Sequence, residues 1–548
     1  MNGVQVTDDN ASDILGDGTA SYNASSNTLT LNGAEITKSI DMISAPGIAS
    51  SEELTIVLVG TNSINMTSSS TSANGITTQN GLTIKGSGTL EITTKGNGIW
   101  NNAGTLTISG VTLGVDTTSG ESAAIKSDGR ITVDQGASLT LESAGQEPGM
   151  RSDPNSSSDN GWISITDSTV NITCGEGEGL IADYDITLTN SDVDITTAWN
   201  GIYSWNQDVV VSGGTLDVTT TGTEVNGVCA YETVELVDGA DVFVESSGYP
   251  AIYGYNLEIK DSTVDTVAAD DVALYCDNAL RIERSVVQAA SGSNKYAGLA
   301  SGSSVIISDS WVESSGELTT LGAYKNSVII EGNTGKTTGD LVLPASVTLP
   351  QGTTLTVREG TSITVPEGCT LTNNGTIELY GDIIIDGGAG VCAASNHVGG
   401  TATCCEKAVC SVCESEYGEL DPTNHTTLAH VEAVSATCTE AGTAEHWACD
   451  GCGRLFTDAA GTTPTTLEQL AVAAVGHSYV NGVCSACGTE DPSYVEPGKK
   501  PQQEQADEKP EIPATGDAAS IAPVLAGAGA ALSGAVAAWR RRSSRHAA

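Results

Sequence analysis

The chain has 548 residues, too many for one ordinary core, and carries 22 Lys+Arg against 68 Asp+Glu, a formal charge of −46. So acidic a surface excludes nucleic acid as a partner and repels anionic lipid, because phosphate binding needs clustered cations. Glycine is abundant at 63 residues while Phe (2) and Met (4) are scarce. The prevalence of Thr, Ser, Val and Ile suits strands and tight turns rather than long helices.

At the start, Met1 to Val6 shows neither a basic stretch nor an apolar run. No secretory leader is therefore written here, and one is expected upstream of a truncated or misplaced start. Residues 1–60 are irregular, with short segments such as Asn27 to Ala34, and predict an opening β cap. Residues 61–335 predict the body of a solenoid, within which residues 74–335 repeat in units of roughly 22 to 25 residues. Gly98-Ile99-Trp100, Gly201-Ile202-Tyr203, Ala251-Ile252-Tyr253 and Ala273-Leu274-Tyr275 open such units, and each runs on into an alternating segment such as Leu257 to Val264. Alternation sends every second side chain to one face, and stacking equivalent strands in register buries a continuous apolar column. Three short strands per unit without helices predict a mainly β fold, a right-handed parallel β-helix with coils about 4.8 Å apart. Sandwiches need regularly spaced hairpin turns, which are missing. Residues 336–391 change rhythm, with Pro and Gly between short strands, and predict smaller coils that continue or close the solenoid.

These coils resemble the pectate-lyase-like β-helices of bacterial surface proteins that carry carbohydrate-binding repeats. The resemblance implies a glycan as partner. An aromatic stripe gives it a candidate site. If Ile202, Val228, Ile252 and Leu274 point inward, Tyr203, Cys229, Tyr253 and Tyr275 form one outward column, with Trp205, Tyr231 and Tyr255 beside it. Such rings either stack sugar faces or merely cover the sheet. Asp167, Asp261 and Asp309 fall at equivalent turns, with Asn190 and Arg284 at the same place in other coils. Acids aligned on adjacent coils have the spacing of a glycosidase pair, but Asp and Asn also belong in turns for backbone reasons. The insertion 146–161, with Arg151, Asp153 and Asp159, is either a functional loop or a tolerated one. No nucleophile motif and no phosphate-binding loop is present, and no catalytic residue is assigned.

Residues 392–490 hold ten of the 14 Cys and predict about three small zinc-ribbon-like modules. His397 precedes Cys404, Cys410 and Cys413; His430, with His446 as a competing ligand, precedes Cys438, Cys449 and Cys452; His477 precedes Cys484 and Cys487; Cys392 and Cys405 have no assigned partner. Each module ends in CxxC, whose turn brings two thiolates within reach of one metal. Modules this small need a staple. Structural zinc is one reading and disulfides are the other.

Residues 491–511 are rich in Pro, Glu, Lys and Gln and predict an extended wall linker. Residues 512–548 open with Ile512-Pro513-Ala514-Thr515-Gly516. An uncharged stretch, Ala518 to Trp539, follows, and then Arg540-Arg541-Arg542. This resembles the LPxTG-type sorting signal of Gram-positive surface proteins, with Ile512 in place of Leu. The resemblance implies sortase cleavage after Thr515, linkage to peptidoglycan, and only transient contact with the membrane. The expected protein is a secreted, wall-anchored adhesin or glycan-binding protein. A wall-anchored polysaccharide lyase or glycoside hydrolase on the same β-helix is the second reading, and a passive stalk the third.

Overall fold

A computed structural model describes residues 1–39, 45–67, 73–118, 120–153, 161–293, 295–318, 322–393, 396–425 and 427–498. The sorting signal, most of the linker and the centre of the 146–161 insertion lie outside them. Nearly all described structure is β, a parallel solenoid of about 14 turns. The one helix among the described residues, Leu467–Leu470, is one turn long. No helix among the described residues is long and apolar enough to cross a membrane.

Most coils have three short strands, while Ile252–Lys260 and Leu274–Glu283 each run the first and second faces as one strand. In one three-stranded coil they are Ile202–Ser204, Val209–Ser212 and Thr215–Thr220. Register is strict. Ile76, Ile99, Ile125, Met150, Leu180, Ile202, Val228, Ile252, Leu274 and Leu299 stack as one inward column on the first face. Leu188, Val211, Leu236, Ile259, Ile282 and Ile307 do the same on the second face. Val193, Leu216, Val242, Val264, Val287 and Val312 do so on the third. All these side chains are buried, and a slip of one residue would turn every one of them outward. At the N-terminal end Ala20–Asn23 folds antiparallel onto Thr28–Asn32, which then pairs in parallel with Leu54–Val59.

The sharp turn between the second and third faces needs one left-handed residue per coil. Asp167, Asn190, Asp261, Arg284, Asp309 and Asn326 take it with φ between 46° and 52°, and Gly110 and Gly213 take it elsewhere. Asp and Asn tolerate this region best among non-glycine residues. The next residue is often a buried serine. Ser168 N–H donates to Ser191 Oγ, Ser262 N–H to Ser285 Oγ, Ser285 N–H to Ser310 Oγ and Ser310 N–H to Ser327 Oγ, at 3.0–3.2 Å. Each hydroxyl also donates to a carbonyl two residues back, as Ser285 does to Glu283. Polar groups in the turn are thereby satisfied from coil to coil.

After Val328–Glu331 the chain reverses into Thr334–Thr337, and parallel stacking resumes in short strands as far as Ala389–Cys392. The described chain divides into two compact units. The first comprises the solenoid and following residues up to 431, together with 446–466. The second comprises 432–445 and 467 onward. It contains two small antiparallel pairs, Gly442–Thr443 with Ala471–Val472 and Tyr479–Val480 with Val483–Cys484.

Candidate functional sites

The outward positions of the first face carry the aromatic stripe. Tyr203, Cys229, Tyr253 and Tyr275 are direct neighbours across successive coils. Tyr253 and Tyr275 stack with ring centroids 6.0 Å apart and planes 14° from parallel. The Tyr253 hydroxyl donates to Asp277 Oδ2 at 2.7 Å, and that bond holds its pKa above the ordinary phenol value. Tyr203 meets Trp205 edge to face at 4.8 Å. Trp205 and Tyr231 follow in the bend after the strand, Tyr255 lies within the long strand Ile252–Lys260, and even the least exposed of them is half open, at 50%.

An aromatic groove lies against that column. Tyr253 and Tyr275 form one wall of a groove of about 540 Å³. Tyr249, Pro250 and Tyr296 come from the loops before the first-face strands, and Asn226, Asp271 and Val272 supply its remaining lining. Tyr249 and Tyr296 are exposed. Asn226 Nδ2 donates to the Pro250 carbonyl at 3.0 Å, which fixes the amide and the loop together. The groove offers flat apolar faces with an amide and a carboxylate at the edge, the chemistry that fits a sugar's C–H face and its hydroxyls. Sequence periodicity finds Tyr253 and Tyr275. It misses Tyr296, which lies in an irregular loop outside the repeat, and it gives no reason to place Asn226 and Asp271 beside the rings.

The turn acids sit on a different edge, around a cleft of about 690 Å³ that includes Asp241, Asp261, Arg284, Asp309 and Asp340. Four carboxylates share this cleft with one guanidinium, and two of the acids are engaged by a neighbour. Arg284 donates to both carboxylate oxygens of Asp261, at 2.6 and 2.8 Å, and holds that carboxyl below its usual range. Asp309 accepts from Asn326 Nδ2 at 2.9 Å. In the longer coil Arg151 is bonded to Asp153 and lies 3.8 Å from Glu147.

The cysteines and histidines converge in three sets, each with its ligand atoms within 4.8 Å of one another. The first is Cys392, His397, Cys410 and Cys413. The second is Cys404, His425, Cys449 and Cys452. The third is Cys438, His477, Cys484 and Cys487. Three expected assignments are thereby corrected. Cys404 stands with the second set, and the solenoid's own Cys392 takes its place in the first. His425, not His430, faces the second CxxC; His430 lies on Leu428–Val431 with its ring 4.9 Å from Trp447. Cys438 completes the third set instead of the second. The physical reason is that the second and third sets each take their first ligand from the segment before the preceding set's CxxC turn, so sets that are compact in space interleave in sequence.

The CxxC turns are one structure used three times. Glu414 N–H donates to Cys410 O, Gly453 N–H to Cys449 O and Gly488 N–H to Cys484 O, at 2.9–3.0 Å. The residue after each second cysteine is left-handed. Backbone N–H groups point at the leading sulfur. The Cys452 amide lowers Cys449 to about 6, and the Ala486 amide with His477 lowers Cys484 to about 5. Sulfur pairs lie 3.7, 3.5 and 3.6 Å apart, and a histidine Nδ1 lies 3.3, 3.6 and 3.3 Å from the second CxxC sulfur. A disulfide would need about 2.05 Å. Tetrahedral Zn–S bonds of about 2.3 Å put sulfurs about 3.8 Å apart. The donor set and its spacing therefore fit a soft four-coordinate metal.

Solenoid and groove define the class: a repetitive β-helix that presents a ring-lined, sugar-sized concavity on one face. A family profile described as "Carbohydrate-binding domain-containing protein" matches residues 15–340, and the chain belongs to that family. No curated protein and no solved structure matches the chain.

Proposed function

We propose that this is a wall-anchored adhesin that binds polysaccharide or host glycan in the groove walled by Tyr249, Tyr253, Tyr275 and Tyr296. The observation that carries this reading is the position of the groove. It lies within the segment matched by the carbohydrate-binding family and combines stacked, solvent-facing rings with Asn226 and Asp271 at its edge. Trp205, Tyr231 and Tyr255 add further exposed rings beyond the groove. Binding is favoured over cleavage because Asp261 and Asp309, the acids aligned at the turns, are each engaged by a neighbour. In this reading the Cys3His sets hold structural zinc. Ile512, Pro513, Ala514, Thr515 and Gly516 address the chain to sortase and peptidoglycan, through a linker suited to threading the wall.

The test is a glycan array probed with the full chain and with Tyr249→Ala and Tyr275→Ala variants. A ligand bound by the parent and lost by both variants supports the reading. Equal retention by both variants, or no glycan bound by the parent, overturns it.

A further inference from the structure

A solenoid must hide both of its ends. At the N-terminal end, the hairpin formed by Ala20–Asn23 and Thr28–Asn32 lies on the first coil. At the other end the last three strands are Thr376–Leu379, Asp382–Asp386 and Ala389–Cys392. Among the described residues each pairs in parallel with the preceding coil only. Beneath them lie Val357, Val365 and Leu371, all fully buried.

Residues 396–417 cover this end. Cys410 and Val412 are buried in the same apolar cluster as Leu355, Leu371 and Ile377. The cover lies directly on the last strand: a Cβ on Gly390 would fall 1.5 Å from the Val412 carbonyl oxygen. The buried Asn373 donates across the junction to Asn396 O at 2.7 Å. Within the cover, Ser411 N–H donates to Val398 O at 2.8 Å. Yet its only strands are Ala408–Val409 and Glu416–Tyr417, two residues each, and a hairpin that short does not hold itself. What fastens it is the first Cys/His set. Cys392 ends the last solenoid strand, and His397, Cys410 and Cys413 belong to the cover.

We propose that zinc at Cys392, His397, Cys410 and Cys413 is the lock of the solenoid's C-terminal end, joining the final coil to the segment that covers it. This rests on the zinc reading of the Cys/His sets. The first site is then part of the β-helix rather than a separate module, and its metal controls fraying of the last coils. The second site takes Cys404 from the cover but no ligand from the last coil, and the third takes none from either.

The experiment uses the full chain, with metal content measured alongside hydrogen exchange by mass spectrometry. Parent protein, parent treated with a zinc chelator, Cys413→Ser and Cys487→Ser are compared. The parent should hold three zinc ions and each variant two. In Cys413→Ser, and on chelation, amides of 362–366, 382–386 and 389–392 should exchange at least tenfold faster, while coils between 76 and 300 keep their protection. Cys487→Ser should leave both regions unchanged. Zinc lost from the first site with protection of 382–392 intact overturns the lock while sparing the zinc reading. A parent without zinc overturns that reading itself. If Cys413→Ser does not fold, Cys452→Ser, which removes the second site alone, keeps the test decisive: chelated parent must loosen 382–392 where Cys452→Ser does not.

Discussion

Tyr253 and Tyr275 occupy the same position on adjacent coils and stack nearly parallel at 6.0 Å, with the Tyr253 hydroxyl tied to Asp277 in the coil of its partner. The bond fixes one ring, and the neighbouring ring is held against it, so the wall of the groove is set before any ligand arrives. Preorganised rings lose little entropy on binding.

Removing a ring from this wall should therefore weaken binding without unfolding the coil. Tyr275→Ala should lower affinity by roughly tenfold, the equivalent of about 1.4 kcal/mol, in calorimetric titration with the glycan found on the array. The melting temperature should stay within a few degrees. Trp205→Ala combined with Tyr255→Ala removes rings outside the groove and should cost less. A larger loss from that pair would move the site to the rings beyond the groove.

The aligned acids should prove structural. Asp167→Asn and Asp309→Asn keep a residue that tolerates a left-handed backbone, and binding should be unchanged by either. Asp167→Val should destabilise by about 1–2 kcal/mol, read from denaturant unfolding of the full chain. Loss of binding in the Asn variants would reopen a catalytic or ligand role for this edge.

Arg284 sets the ionisation of Asp261. Its guanidinium holds the carboxyl below the ordinary range, so their contribution to stability is complete above the unfolded-state pKa and fades as pH falls through the folded one. Both groups are well exposed, so the effect on overall stability should be small. Arg284→Ala should raise the Asp261 pKa toward an ordinary carboxylate value, measured by carboxyl-carbon NMR. An unmoved titration would contradict the pairing.

Ser285 accepts from Ser262 N–H while its own hydroxyl donates to Glu283 O, and it is fully buried. Ser285→Ala strands the Ser262 amide and should cost about 1–3 kcal/mol. Hydrogen exchange should show the loss concentrated at the turns of the adjoining coils. Uniform loss across the solenoid would argue that the ladder acts globally.

Anchoring is checked in a Gram-positive host. The mature chain should end at Thr515 and leave the wall fraction only after peptidoglycan digestion, and Thr515→Ala should shift it to membrane or medium. An intact Arg540 to Ala548 tail on wall-fraction protein would exclude sortase processing.

The sequence by itself determined the strand pattern, the parallel stacking and the outward aromatic column. Each follows from period-two alternation repeated at nearly constant intervals, and such local regularity leaves one way to bury every apolar residue. It also showed the CxxC turns and the matching pair Thr401 to Cys404 and Ser435 to Cys438, which mark the first ligands of the second and third sets. Only the tertiary structure decided which histidine and cysteine join each turn. Ligand sets close across chain segments that fold back on one another, so nearness along the chain, which pointed to Cys404 for the first set and His430 for the second, is no guide to nearness in space. The same holds for the groove: Tyr296, Asn226 and Asp271 lie on loops whose paths no periodicity encodes, and stacking of the coils beneath them brings those loops beside Tyr253 and Tyr275.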